Sequence, residues 1–327
     1  MARDKLQASG ETQVLFRQPT AADWKGTKSL EIYQKMLLAS VPPVRDACGL
    51  EAAFNIAQFC MAGVTVGDLD VLEEHEDSSS FKAVKRALEN VDETQQDQLF
   101  RAMTATLIRN DDLREGVKDS LPTALNCWAA IAKYWPQFCF TTRVMHFCSC
   151  PEKARFDAEE KHCYVPIEGV QSRTNAGEHC RVWFDGEITS ETECPDCKGF
   201  QWKRRCVMDR LPFQLMIETV AHTERWNVDI MLADLSFKYL SAYGEDVGEK
   251  NGPYVKCKAM MLSNLYEKDK ICHFKAATWR SGVNGGGRMK DSQDARLIYD
   301  FSAEDARGMN VAIGGILLKQ QPPARNT

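Results

Sequence analysis

Three residues in this sequence have the types and order of acyl-transfer chemistry. Cys48 stands in Arg45-Asp46-Ala47-Cys48-Gly49-Leu50-Glu51-Ala52-Ala53-Phe54, where a loop turns into an apolar helical pattern. Far along the chain come Cys272-His273-Phe274 and then Tyr299-Asp300-Phe301, both in strand-like surroundings. A cysteine attacks an acyl carbon as its thiolate. A helix N-terminus and a nearby imidazolium both favour that form. Cys48 is the expected nucleophile and His273 the expected base and acid. Asp300, on the strand expected to follow, would orient the imidazole. Gly49 leaves room beside the sulfur for a substrate backbone.

The plainer reading of each residue is structural. A cysteine on a helix is commonly a small core residue, and a histidine on a strand is commonly just packed. With 13 cysteines and six histidines many pairs could be drawn. The order singles this set out: loop-Cys-helix early, strand-His-aromatic late, then aromatic-Asp.

A second group of thiols lies between them. Phe147-Cys148-Ser149-Cys150 and Glu193-Cys194-Pro195-Asp196-Cys197-Lys198-Gly199 form two close pairs. Tetrahedral zinc takes four soft ligands, and each tight turn can present two. Cys148, Cys150, Cys194 and Cys197 are therefore the expected ligands of one structural zinc. His146, Cys163, His179 and Cys180 are alternatives. Four thiolates close the coordination sphere, which argues against a catalytic metal.

The elements that must hold these residues follow from periodicity. Leu50, Ala53, Phe54, Ala57 and Met61 recur at helical spacing after Cys48, so the thiol falls in the first turn of a buried helix. Pro42-Pro43 enforce an extended approach to it. Helices are expected over 29–38, 81–88, 97–108 and 123–134. Strands are expected over 138–147, 163–167, 181–184, 201–207, 213–219, 254–265, 272–279, 296–301 and 311–319. Residues 282–294, with Gly285-Gly286-Gly287, read as a flexible loop and a candidate flap. The organisation is a polar leader over 1–27, a helical lobe over 28–136, a cysteine-rich β insertion over 137–211 and a β lobe over 212–327.

Composition bounds the partners. The chain has 327 residues, 44% hydrophobic and 27% charged, with a net charge of −5. Dispersed Lys and Arg with an acidic balance argue against nucleic acid, and Lys203-Arg204-Arg205 reads as a solvated edge. No apolar run is long enough for a membrane span, and the polar N-terminus lacks a signal-peptide core. An intracellular location is expected, where most thiols stay reduced.

These residues resemble the ubiquitin-specific protease group of papain-like cysteine peptidases, in a divergent form. Tyr254-Val255-Lys256-Cys257-Lys258-Ala259-Met260-Met261 is similar to the strand before that group's histidine box, His273-Phe274 to the box and Tyr299-Asp300 to its aromatic-acid step. Pro212-Phe213-Gln214-Leu215 resembles the strand after the group's zinc finger, and Gly314-Gly315-Ile316-Leu317-Leu318 its closing strand. The resemblance implies an α+β papain-like fold with a helical thumb, zinc-bearing β fingers and a β-sheet palm. It implies a Cys48–His273–Asp300 triad cleaving after the C-terminal Gly-Gly of ubiquitin or a ubiquitin-like modifier. Ubiquitin or ubiquitin-like conjugates would be the partners, gripped by the fingers. Trp183, Phe184, Phe200 and Trp202 would supply apolar contact there or form the finger's own core. The family's Asn shortly before the nucleophile has no counterpart in Pro42-Pro43-Val44-Arg45-Asp46, so a second oxyanion donor must come from elsewhere. An inactive ubiquitin-binding scaffold and a viral-type polyprotein protease are the alternatives.

Overall fold

The structure is a computed structural model. It describes residues 48–61, 75–90, 93–113, 124–135, 138–148, 155–166, 182–184, 188–194, 196–209, 211–212, 214–219, 236–241, 243–251, 255–266, 270–279, 287–291, 298–301 and 314–320. The expected leader and the helix over 29–38 lie outside these residues.

Helix α1 (Cys48–Met61) is apolar around most of its circumference, and its Leu50, Ala53, Phe54, Ile56 and Ala57 are all buried. A helix apolar around most of its surface sits inside, and its polar Glu51, Asn55 and Gln58 are buried with it. It packs on α4, β9 and β10. Around it, α2 (Ser79–Glu89) begins at Ser78, whose hydroxyl accepts from the Phe81 N–H at 3.4 Å, and buries Ser80, Phe81, Val84, Ala87 and Leu88. That is the spacing of a one-faced amphipathic helix with a serine N-cap. Helix α3 (Glu93–Arg109) buries Phe100, Met103 and Leu107, and the Phe100 ring meets Phe54 edge-on at 5.2 Å. Helix α4 (Ala124–Ala132) is buried over most of its length, and ends ahead of a cluster of Tyr134, Trp135 and Phe138.

Strands follow. One sheet runs β2-β1-β5-β7-β8, with β3 also on β1 and β4 also on β5. Its members are β1 (Phe140–Phe147), β2 (Arg155–Phe156), β3 (Glu160–His162), β4 (Ile188–Glu193), β5 (Phe200–Met208), β7 (Ser236–Leu240) and β8 (Asp246–Asn251). All its pairs are antiparallel except β5 with β7. The second sheet is antiparallel in the order β12-β11-β10-β9-β13-β6. It contains β6 (Gln214–Thr219), β9 (Val255–Tyr266), β10 (Lys270–Trp279), β11 (Gly287–Asp291), β12 (Ile298–Phe301) and β13 (Gly314–Gln320). Met216, Ala259, Met261 and Ala276 come from its β6, β9 and β10 and join the helices in one core. Alternate residues of a strand share a face, so this sheet lays one face against the helical layer. A parallel bridge between Val165 and Ile217 links the two strand groups.

Several expected strands take other forms. Residues 182–184 make a helical turn, and Val165 is an isolated bridge. Within the expected loop over 282–294 the chain forms β11. Gly-rich sequence carries no alternation to announce a strand, but an edge next to β10 supplies the hydrogen bonds that make one.

Candidate active site and thiol cluster

Cys48 is the first residue of α1. It is half-buried and packed against the helical core. A thiol there lies at the positive end of the helix dipole, which favours the thiolate. Helix α4 brings a second thiol close. Cys127 is buried, and its thiol is pushed up to about 12, mainly by burial and then by the charge of Cys48. Burial thus holds Cys127 protonated at neutral pH, which leaves Cys48 as the candidate nucleophile of the two.

His273 lies on β10, the strand on which α1 packs. A bulge between Ile271 and His273 interrupts the β9 ladder just ahead of it. Such bulges reorient the chain beside functional positions. Asp300 lies on β12, and β11 separates that strand from β10. The registers are definite: Asp300 stands opposite Arg288, and Arg288 opposite Thr278. Thr278 is five residues from His273 along β10, roughly 16 Å in strand rise. Asp291 of β11 stands opposite Lys275, two residues from His273. By register Asp291 therefore stands nearer to His273 along the sheet than Asp300 does. Sequence order alone missed Asp291, because the strand carrying it had no period to reveal it.

The cysteine-rich segment brings three thiols together. The sulfurs of Cys148, Cys194 and Cys197 all lie within 4.8 Å of one another, with Cys148 and Cys194 3.5 Å apart. Cys148 follows β1, while Cys194 and Cys197 sit in the turn joining β4 to β5. That turn is tight: the Lys198 N–H donates to the Cys194 carbonyl at 2.8 Å, and the Cys194 N–H to the Gly199 carbonyl at 2.9 Å. Lys198 takes the left-handed φ of 58° that closes it. Backbone N–H groups of Cys197 and Asp196 donate to the Cys194 sulfur and hold its thiol down to about 6. Three thiols at this spacing could hold a metal. Ligands of a tetrahedral zinc lie about 3.8 Å apart at the usual Zn–S length. Cys150, the expected fourth ligand, is outside the described residues, as are His179 and Cys180.

Two alternative ligands are placed elsewhere. The His146 Nε2 meets Asp157 Oδ1 at 2.7 Å. Cys163 meets Cys139 at 3.5 Å, at the opposite end of β1 from Cys148. Trp183 and Phe184 are core, not contact surface: both are buried and their rings meet edge-on at 4.5 Å, beside Phe140. The side chains of Phe200 and Trp202 lie outside the described set. Arg205 is not on a solvated edge. It is 6% exposed, lies over the Trp183 ring at 4.1 Å and bonds Glu160 Oε2 at 3.0 Å. Arg204 pairs with Glu249. No described helix is long and apolar enough to cross a membrane.

No protein-family model and no curated protein matches this sequence. Solved structures do match its fold. A chain of the SAGA Ubp8/Sgf11/Sus1/Sgf73 DUB module bound to ubiquitin aldehyde aligns with a TM-score of 0.54 at 11% identity, over 88% of this chain and 71% of that one. A chain of the same SAGA DUB module carrying a substituted Ubp8 and bound to monoubiquitin aligns with a TM-score of 0.51 at 9% identity, over 88% and 70%. The chain thus shares the mixed α/β fold of the Ubp8 deubiquitinase module, at a sequence distance where fold alone is held in common.

Proposed function

We propose that this protein is a cysteine peptidase that cleaves after the C-terminal Gly-Gly of ubiquitin or a ubiquitin-like modifier. The observation that carries the reading is a cysteine opening a buried helix that packs on the strand of His273, within a fold shared over 88% of the chain with a ubiquitin-bound module. Residues 28–136 would act as the thumb, 137–211 as the fingers and 212–327 as the palm.

In this mechanism the Cys48 sulfur attacks the terminal glycine carbonyl carbon. The carbonyl electron pair moves to oxygen, and the Cys48 N–H can donate to that oxyanion. Collapse breaks the C–N bond, and His273 protonates the leaving amine, leaving a thioester. Water then attacks with His273 as base, releasing the modifier and the thiol. A carboxylate orients His273 and stabilises its imidazolium. Asp300 is the candidate by motif, and Asp291 is the one favoured by register. Cys148, Cys194 and Cys197, with Cys150, would hold a structural zinc that ties the β4–β5 turn to the end of β1. The protein would work on intracellular conjugates, without nucleic acid or membrane.

The test is a ubiquitin carrying a C-terminal electrophile. The purified protein should form a covalent adduct that Cys48→Ala and His273→Ala abolish. No adduct with ubiquitin or with common ubiquitin-like probes, despite measurable binding, would instead support the scaffold reading. If the adduct forms, Asp291→Asn should slow it by ~10²-fold or more and Asp300→Asn by far less. The reverse ranking would restore Asp300.

A further inference from the structure

The ladder between β1 and β3 pairs Thr142 with Glu160, Thr141 with Lys161 and Phe140 with His162. The next position in that register is Cys139 opposite Cys163. Their sulfurs are 3.5 Å apart, and both residues are half-buried. The pair is fixed on each side. The Trp128 Nε1–H donates to the Cys163 carbonyl at 2.8 Å, and the Cys139 thiol lies 3.4 Å from the Ala132 carbonyl. The pair is separate from the thiol cluster of Cys148, Cys194 and Cys197: β1 lies between them, about 30 Å of strand. Metal ligation therefore does not account for it.

We propose that Cys139 and Cys163 are an oxidisable dithiol site that closes to a disulfide when the protein meets a hydroperoxide. The site stands independently of the peptidase reading. Cross-strand cysteines at facing positions have Cβ atoms about 4.5–5.5 Å apart, slightly beyond disulfide spacing. Such bridges form with little movement and are readily reduced again. The hydrogen bond with Cys139 lowers the Cys163 thiol against the opposing effect of burial, with Lys161 and Lys133 adding to the lowering. Cys163 is thus the attacking sulfur. Its thiolate attacks one peroxide oxygen, the O–O bond breaks, and Cys163 becomes a sulfenic acid as hydroxide leaves. The Cys139 sulfur then attacks the Cys163 sulfur. The S–O bond breaks, and the departing hydroxide leaves as water with the Cys139 proton. Overall two thiols lose two electrons and two protons, and hydrogen peroxide becomes two waters.

The experiment treats the reduced protein, whole chain, with hydrogen peroxide, alkylates the remaining thiols and maps peptides by mass spectrometry. A crosslinked pair joining Cys139 to Cys163, two hydrogens lighter than the separate peptides and cleaved by a small dithiol, is expected. In Cys139→Ser, Cys163 should stop at sulfenic acid and be captured by a dione probe. Cys139→Ala repeats this measurement if the serine variant folds poorly. The proposal is overturned if both cysteines remain alkylatable at a peroxide dose that oxidises Cys48. It is equally overturned if Cys163 crosslinks to another cysteine, or if its oxidation is unchanged in both Cys139 variants.

Discussion

A charged side chain held out of water must find partners for its charge and its plane. Arg205 does so with Trp183 under its guanidinium and with Thr142 and Glu160 at its edge. Guanidinium is suited to this because it is planar and weakly hydrated. Arg205→Ala is expected to lower unfolding free energy by ~2–4 kcal/mol, the sum of a desolvated cation–π contact and charged hydrogen bonds. Arg205→Lys should lose a good part of it. Urea titration checks both, and a change under ~0.5 kcal/mol would mark Arg205 as an ordinary surface residue. The same logic separates the two thiols near α1. Burial keeps Cys127 protonated, while Cys48 at the helix start is only half-buried.

At the scale of elements, α1 is the strut of the helical layer. Phe54 is fully buried against Phe100, so Phe54→Ala should cost ~3–5 kcal/mol by leaving a cavity. Ser78→Ala removes an N-cap and should cost ~1 kcal/mol. Thermal unfolding of the two variants should rank them in that order. The β4–β5 turn makes a different prediction. The Cys194 thiol is held down from its usual 9.0 to about 6, so the folded form prefers the thiolate. Stabilisation from that preference is complete above the unfolded value and is lost as pH falls through about 6. Zinc affinity of the metal-free protein, measured by competition with a chelating dye, should therefore fall between about pH 9 and about pH 6 with a slope one proton shallower than protonation of every ligand thiol would give. A slope equal to the full number of ligand thiols would show that the turn does not activate Cys194.

Over the whole molecule, the helices and the six-stranded sheet share one core, while Cys206, Met208 and Leu240 of the other sheet form a small separate one. Structural zinc contributes folding free energy locally. Chelation of the proposed zinc should thus expose backbone amides of β4 and the adjoining parts of β1 and β5, leaving α1 and β9 protected in hydrogen exchange. Loss of protection throughout would mean the two cores unfold together.

Much of this architecture is legible in the residues. Periodicity marks α1 through Leu50, Ala53, Phe54 and Ala57, and the apolar runs at β9, β10 and β13 mark their strands, because burial on one face repeats in sequence. The Cys194-Pro-Asp-Cys197 spacing marks a thiol turn because a tight turn can present two ligands within a few residues. Pairing between distant segments leaves no such trace. Short polar strands such as β8 and β11 exist because a neighbour offers them hydrogen bonds. The fate of Arg205 depended on Trp183 arriving from another segment. The amino-acid sequence by itself determined which residues could do chemistry and which helix and strand carry Cys48 and His273. Only the tertiary structure decided the register that sets Asp291 opposite Lys275, two residues from His273, and Asp300 in line with Thr278, five residues from it. It also paired Cys163 with Cys139 instead of with the other cysteines. Register is a property of two strands at once, and no single stretch of chain contains it.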